Sequence, residues 1–130
     1  MTDSTRHNIL CSLTGEAIWG FQWAMIAPST FFVLLLQQFG AGKIMLGSVG
    51  TLETGGTLLM QTLGVLIFQS RKNRKGQVVF WHFAAFPFVF LTGGAALVSG
   101  WLTPTWSRGL ILFFLAAYLL MLGVIVAVWL

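Results

Sequence analysis

GSVGTLETGGTLLMQTLG, residues 47–64, is the stretch that decides the fold. It contains five glycines and one carboxylate, Glu53, and no other charged residue lies between Lys43 and Arg71. An apolar run of this length predicts a helix that spans a membrane. A charged group near the middle of such a helix costs on the order of 3 kcal/mol unless protein or water surrounds it. We therefore ask what covers Glu53.

The composition of the whole chain also predicts a membrane protein. Of its 130 residues, 57% are apolar and 8% are charged, whereas about a quarter of the residues in an ordinary soluble domain are charged. The net charge of +4 comes mainly from a short run between positions 71 and 75, which is typical of a topology signal and gives no indication of a nucleic-acid partner. Cys11 is the only cysteine, so we predict no disulfide framework, no metal site and no cofactor.

Four blocks of the chain are long enough to cross the hydrocarbon core, which takes about 20 helical residues. We predict an all-α, polytopic membrane protein with a polar N-terminal segment, residues 1–13, and a transmembrane domain, residues 14–130. The predicted spans are 14–39, 44–69, 77–100 and 109–130. A glycine-rich turn at 40–43 joins the first two spans as a hairpin. A basic loop at 70–76 and an interfacial loop at 101–108 join the others.

The distribution of cations predicts the orientation. Arg6 and the four cations at 71–75 fall on one side of the predicted membrane, and Lys43 and Arg108 fall on the other. Because cytoplasmic segments carry the excess of Lys and Arg, the N-terminus and the 70–76 loop are predicted to be cytoplasmic.

Small and polar side chains form a stripe along the second predicted span. At 100° per residue they fall within about a quarter of the helix circumference. The stripe indicates either a close helix–helix contact, since glycine and threonine let backbones approach, or the wall of a gap that opens and closes. Its members are Gly47, Gly50, Thr54, Thr57, Gln61 and Gly64.

Glu53 lies at the edge of this stripe and allows two interpretations. It is either a site for a proton or a substrate cation, or a protonated, hydrogen-bonded glutamic acid that holds helices together. The neighbouring glycines would let another backbone come close enough to cover the carboxyl group.

The first and third spans carry further candidates. Glu16, Trp19 and Trp23 share one face of the first span, with Glu16 close to the cytoplasmic end. Glu16 is either an interfacial carboxylate or an ion-coupling group, and the tryptophans are either packing residues or a wall that stacks on a ligand. Pro28 either bends the span for function or is a packing kink. His82 is a proton-relay candidate or an interfacial residue. We find no catalytic set of residues, so the sequence does not predict an enzyme.

The order of these features resembles the start of a major facilitator superfamily transporter. A proline within the first span and a short turn occur in APSTFFVLLLQQFGAGKIMLGSVG, residues 27–50. LLMQTLG, residues 58–64, precedes the basic segment FQSRKNRKGQ, residues 68–77. This order is similar to that of a bacterial branch of the superfamily. The acidic residue usual in the loop after the second span is absent, as is an arginine within the fourth span, so proton antiport is not implied.

The resemblance implies that the chain is the first third of a twelve-helix fold, whose halves are built from inverted three-helix repeats. It implies transport of a small solute by alternating access in a bacterial inner membrane, with lipid, a small-molecule substrate and the remaining helices as partners. The basic loop would act as a cytoplasmic latch through Arg71, Lys72, Arg74 and Lys75. The substrate-cavity candidates are Trp19, Gln22, Trp23, Thr30 and Tyr118, and the candidates for proton or ion coupling are Glu53, Glu16 and His82.

Two other hypotheses remain open at this point. Four spans with a membrane carboxylate could form a small, dimeric, proton-coupled multidrug exporter, in which Glu16 or Glu53 exchanges protons for a lipophilic cation. Alternatively, the chain could be a membrane subunit that assembles with partners and transports nothing, which the stripe alone would support.

Overall fold

The structure, a computed structural model, describes residues 3–25, 28–68 and 74–129, and these residues are almost entirely helical. No strand occurs within these ranges, which confirms the predicted all-α class. Within the described ranges, six α-helices follow one another, and a π-helical turn and a short 3₁₀ helix accompany them. The α-helices are α1 (Asp3–Met25), α2 (Pro28–Gln38), α3 (Lys43–Thr51), α4 (Thr57–Phe68), α5 (Arg74–Leu97) and α6 (Pro104–Trp129).

Helices α3 and α4 are two parts of one longer helix. The π-turn that joins them, Leu52–Gly56, keeps right-handed helical backbone angles at both of its boundaries. The helix therefore continues from residue 43 to residue 68, with its hydrogen-bonding pattern changed in the middle.

In the described structure, helix α6 packs against both α5 and α4. Its residues Ile111, Leu115 and Leu119 are at most 1% exposed. Leu36 of α2 and Val49 of α3 are fully buried in the same cluster. Burial of such side chains stabilises the fold by roughly 1.5–3 kcal/mol each. The core therefore forms around α6.

The turn between α2 and α3 has the glycine-terminated form that the sequence predicts. Gly40 has a φ of 71°, and its N–H donates to Gln37 O at 2.9 Å. The N–H of Ala41 donates to Leu36 O at 3.0 Å. These two bonds satisfy the last carbonyls of α2 in a Schellman arrangement, which a left-handed glycine permits. The chain reverses here, and α3 packs back against α2.

Only part of the predicted span pattern is present. Among the described residues, Gly76–Trp101 and Pro104–Val128 are long and apolar enough to cross a membrane, judged by length and composition. Within the described ranges, no helix of this kind is found over the first two predicted spans. The described helical parts of residues 14–39 belong to α1 and α2, and residues 44–68 belong to the helix that contains Glu53 and the π-turn. The four predicted spans are thus shown in part, by the third and the fourth.

Two predicted boundaries also shift. The loop expected at 101–108 is shorter, because α6 begins at Pro104 and includes most of it. Proline suits this first helical position, since its missing N–H would have no partner within the helix. At the N-terminus, α1 begins at Asp3 and passes through the boundary predicted between residues 13 and 14.

Candidate functional site

The π-turn places Glu53 halfway along the helix that runs from residue 43 to residue 68. The N–H of Thr57 donates to the carbonyl of Leu52, five residues earlier, where an α-helix would use the residue four earlier. Single π-turns inside α-helices are frequent at functional sites. Glu53 is half-buried there. The structure thus adds a backbone irregularity to the carboxylate that the sequence singles out.

The half of the predicted stripe that lies in α4 packs closely against α6. The Thr57 hydroxyl donates to Leu119 O at 3.4 Å. Gly64 is buried, and a Cβ built on it would lie 2.6 Å from the Cβ of Ala127. Gln61 lies on the same side, close to Gly123. This half therefore forms the close helix contact that small side chains allow.

The half of the stripe that lies in α3 and the π-turn does not make this contact. Gly47 and Thr54 are exposed, and Gly50 is only partly buried. A Cβ built on Gly47 or Gly50 would have no neighbouring atom within 4 Å. The described stripe therefore does not form one continuous close contact with α6, since its Gly47 lines an open groove whose other wall is α6.

Two small residues of α6, which are not among the residues predicted for the site, complete the contact. A Cβ built on Gly123 would overlap Thr57 O and would lie 2.8 Å from the Cβ of Met60. Gly123 and Ala127 are four residues apart on one helix face. This spacing of small residues is a known signal for close helix packing, so the signal was present within the fourth predicted span.

A groove separates α3 from the first half of α6. Its volume is about 730 Å³ and it is open to the outside. The Ser48 and Thr51 hydroxyls donate to carbonyls of their own helix, Met45 O and Gly47 O, so the groove wall is apolar. The lining residues are Ile44, Gly47, Ser48, Thr51, Leu52, Gly109, Leu112, Phe113 and Ala116.

Of the predicted cavity and relay residues, the structure brings together Trp19 and His82. Their rings meet edge to face, with centroids 6.0 Å apart. His82 Nδ1 lies 2.8 Å from Val78 O, a distance at which the ring nitrogen donates to the carbonyl. Trp19 and Tyr118 both pack against the buried core. These residues therefore stabilise packing between elements in this structure.

The remaining candidates do not join this group. Thr30 and Glu16 are exposed, and of the predicted cavity residues whose side chains are described, Trp19, Thr30 and Tyr118, none lines the groove. Gln22 and Trp23 have side chains outside the described part, as do Arg74 and Lys75, and Arg71 and Lys72 lie outside the described residues altogether. Within the described ranges, no three His, Cys, Asp or Glu side chains are close enough to hold a metal ion.

Arg108, which the sequence analysis used only for orientation, connects two turns. Its guanidinium donates to Gly40 O in the α2–α3 turn, to Pro104 O at 3.1 Å and to Thr105 Oγ1 at 3.2 Å. A cation at the carboxyl end of a helix is favourable because the exposed carbonyls carry partial negative charge. Arg108 thus fastens the end of α2 to the start of α6.

The described arrangement therefore consists of a half-buried carboxylate in a π-turn, a close glycine contact on one side of that turn and an open apolar groove on the other. No protein-family model, curated protein or solved structure matches this chain.

Proposed function

We propose that this chain is part of a membrane transporter that moves a small solute by alternating access, as its resemblance to the major facilitator superfamily implies. The observation that carries the proposal is the division of helix 43–68 at its π-turn. On the α4 side, Gly64 and Gly123 hold the helix tightly against α6, and on the α3 side the same two helices enclose a groove. Because helix 43–68 and α6 are in close contact at one end and separated at the other, a small motion of α3 can close the groove between them.

Membrane insertion is supported by the apolar surface of α5. Phe80, Phe83, Phe86 and Phe90 are between 61% and 75% exposed, although they lie in a candidate span. A soluble protein rarely leaves a contiguous apolar face of this kind in water. In the proposed setting these side chains contact lipid or the remaining helices of the transporter. The cation distribution supports a cytoplasmic N-terminus, and the resemblance supports a bacterial inner membrane.

Glu53 is the proposed coupling group, because a carboxylate at mid-helix depth is costly unless it faces protein or water. The π-turn leaves it half-buried, where a proton or cation could reach it. Glu16 and His82 remain secondary candidates, since Glu16 is exposed and His82 contacts Trp19. The cavity would form between Trp19, Gln22, Trp23, Thr30 and Tyr118 and the helices of the other half, with the cations at 71–75 as the cytoplasmic latch.

Reconstitution of the full-length transporter in phospholipid vesicles tests this proposal. We expect at least one labelled solute from a panel of sugars, amino acids and organic cations to accumulate, and we expect Glu53→Gln to change the pH dependence of that uptake. Thr54→Ser, an exposed neighbour with its hydroxyl kept, is the matched control and should transport as the original protein does. A reconstituted, folded protein that moves none of the panel would contradict the proposal and favour the assembly subunit.

The small-exporter alternative predicts a different outcome in the same vesicles. The 130-residue chain alone would exchange a lipophilic cation such as tetraphenylphosphonium for protons and would cross-link as a dimer. Exchange by this chain alone would replace the larger transporter as the better explanation.

A further inference from the structure

The π-turn contains one residue more than a regular α-helical turn. The residues of α3 that share a face with α4 are therefore shifted by one position along the sequence. Side chains separated by four, seven or eleven positions share one face of a regular α-helix. Counted back from Thr57, which contacts α6, these positions are Glu53, Gly50 and Leu46. An uninterrupted α-helix would therefore place Gly50 and Glu53 on the face that meets α6.

The structure places the preceding residues on that face instead. Val49 is fully buried in the cluster that α6 dominates, and Leu52, Met45 and Leu46 all pack against this cluster. Val49 and Leu52 precede Gly50 and Glu53 by one position each, as Met45 precedes Leu46. The difference of one residue is the extra residue of the π-turn, as the bond from Thr57 N–H to Leu52 O shows.

The sequence is suited to both arrangements. The observed face, with Met45, Val49 and Leu52, is apolar and buries well. The alternative face contains Gly50, beside which a built Cβ would have no atom within 4 Å. Gly50 would continue the small-residue contact that Gly64 makes with Ala127 in α4.

We propose that helix 43–68 has two registers, one with the observed π-turn and one fully α-helical, and that the change between them carries Glu53 to and from the face of α6. Loss of the π-turn rotates α3 about its axis by about 100° relative to α4 and moves it by about 1.5 Å, since each α-helical residue contributes that turn and rise. Val49 and Leu52 then leave the core-facing position, and Gly50 and Glu53 enter it.

The chain can accommodate this rotation at the far end of α3. Ala41 and Gly42 lie outside regular helix, and Gly40 already has a positive φ. These residues can absorb a change in backbone angles without moving α2, which Arg108 holds through Gly40 O. The motion is therefore confined to α3. As the moving part of the transporter it rests on the proposed function, but its existence can be tested without transport.

Cysteine cross-linking distinguishes the two registers. In a Cys11→Ser background, Gly50→Cys is paired with Ala116→Cys on the opposite side of the groove. A disulfide holds its Cβ atoms about 3.8 Å apart on average, and in the observed register a Cβ at position 50 has no atom of another helix, including Ala116 Cβ, within 4 Å. We expect this pair to form a disulfide under mild oxidation, because the α-helical register brings position 50 to α6.

Deletion of Gly55 supplies the decisive comparison. Removing one residue from the π-turn makes the helix regular while keeping Val49 and Leu52 on the face they now occupy. We expect the 50–116 cross-link to be lost in this variant. A Gly56→Cys and Leu120→Cys pair should cross-link with or without the deletion, since a Cβ on Gly56 would lie 3.2 Å from Leu120 Cδ2.

Two results overturn the two-register proposal: no cross-link between positions 50 and 116 in the undeleted protein, or an equal cross-link after the deletion. If the Gly55 deletion fails to fold, as loss of the 56–120 cross-link would report, deletion of Thr54 removes the same extra residue and takes its place. Neither result depends on solute uptake. Absence of transport with the expected cross-linking pattern would remove the proposed function and leave the two registers standing.

Discussion

At the scale of the residue, Gly123 is the described glycine at which an added side chain would meet the most crowded surroundings. A Cβ there would lie within 3.1 Å of Thr57 O, Met60 Cβ and Gln61 N. Two of these atoms belong to the backbone of α4 and cannot move independently of the helix. The separation of α4 from α6 is therefore set by the absence of a side chain at position 123.

We expect Gly123→Ala to destabilise the protein by about 1–3 kcal/mol, the usual cost of overpacking a close contact. Thermal unfolding in a mild detergent measures the loss. Gly109→Ala, on the same helix, is the matched control, because a Cβ at position 109 meets no atom within 4 Å. It should leave the midpoint unchanged or raise it slightly, since alanine favours helix over glycine. Equal midpoints for both variants would argue against close α4–α6 packing.

Arg108 gives a second prediction at this scale. Its guanidinium reaches Gly40 O, Pro104 O and Thr105 Oγ1 together, which requires the forked donors of arginine. We expect Arg108→Gln to speed hydrogen exchange at the N–H groups of Gly40 and Ala41, which close the α2–α3 turn. Arg108→Lys should behave similarly, because an ammonium keeps the charge and loses the fork. Full protection in the lysine variant would show that charge alone fastens the turn.

At the scale of the element, the sequence predicts the composition of the helices better than their relation to one another. The turn at residues 40–43 follows from its glycines, and the α4 half of the stripe packs against α6. The α3 half does not, because the one additional residue in the π-turn changes the direction of the α3 side chains relative to those of α4. This additional residue is a feature of the backbone hydrogen bonds. Side-chain periodicity cannot reveal it, because GSVGTLETGG fits a regular helix as well as an interrupted one.

Helix α1 shows a further limit of the sequence pattern. Its described side chains from position 4 to position 18 are exposed, and Trp19 alone among those described is half-buried. The tryptophan face predicted for the first span is thus represented by one contact, that of Trp19 with His82. An edge-to-face aromatic pair contributes about 0.5–1.5 kcal/mol beyond its buried area.

We therefore expect Trp19→Ala to release α1 from α5. Limited proteolysis after Arg6 and Glu16 should become faster in this variant, with His82→Ala giving the same result. Phe21→Ala is the control on the same helix, because Phe21 is 67% exposed. If Phe21→Ala accelerated cleavage as much as Trp19→Ala, the Trp19–His82 contact would not be what holds α1.

At the scale of the whole molecule, exposed apolar area distinguishes a membrane protein from a soluble one. Half of the most apolar stretch of α6 is buried, as in the core helix of a soluble protein, whereas 17% of the corresponding stretch of α5 is buried. The exposed phenylalanines of α5 therefore distinguish lipid from water surroundings better than α6 does, although α6 is the more apolar helix. In water they would be an aggregation site, and in a bilayer they would face a solvent that matches them.

Phe86→Asp tests which of these surroundings is correct. Phe86 is 62% exposed near the middle of α5, so in a bilayer the aspartate would raise the free energy of insertion by about 2.5–3.5 kcal/mol. We expect a marked loss of protein from the membrane fraction, measured by carbonate extraction. Gln77→Asp, near the start of the same helix, is the control and should stay membrane-bound, because a carboxylate at that depth reaches the interface. If α5 instead faces water, Phe86→Asp should be the more soluble of the two variants, since an exposed aspartate at position 86 would raise solubility. A more soluble, folded Phe86→Asp protein would therefore show that α5 faces water.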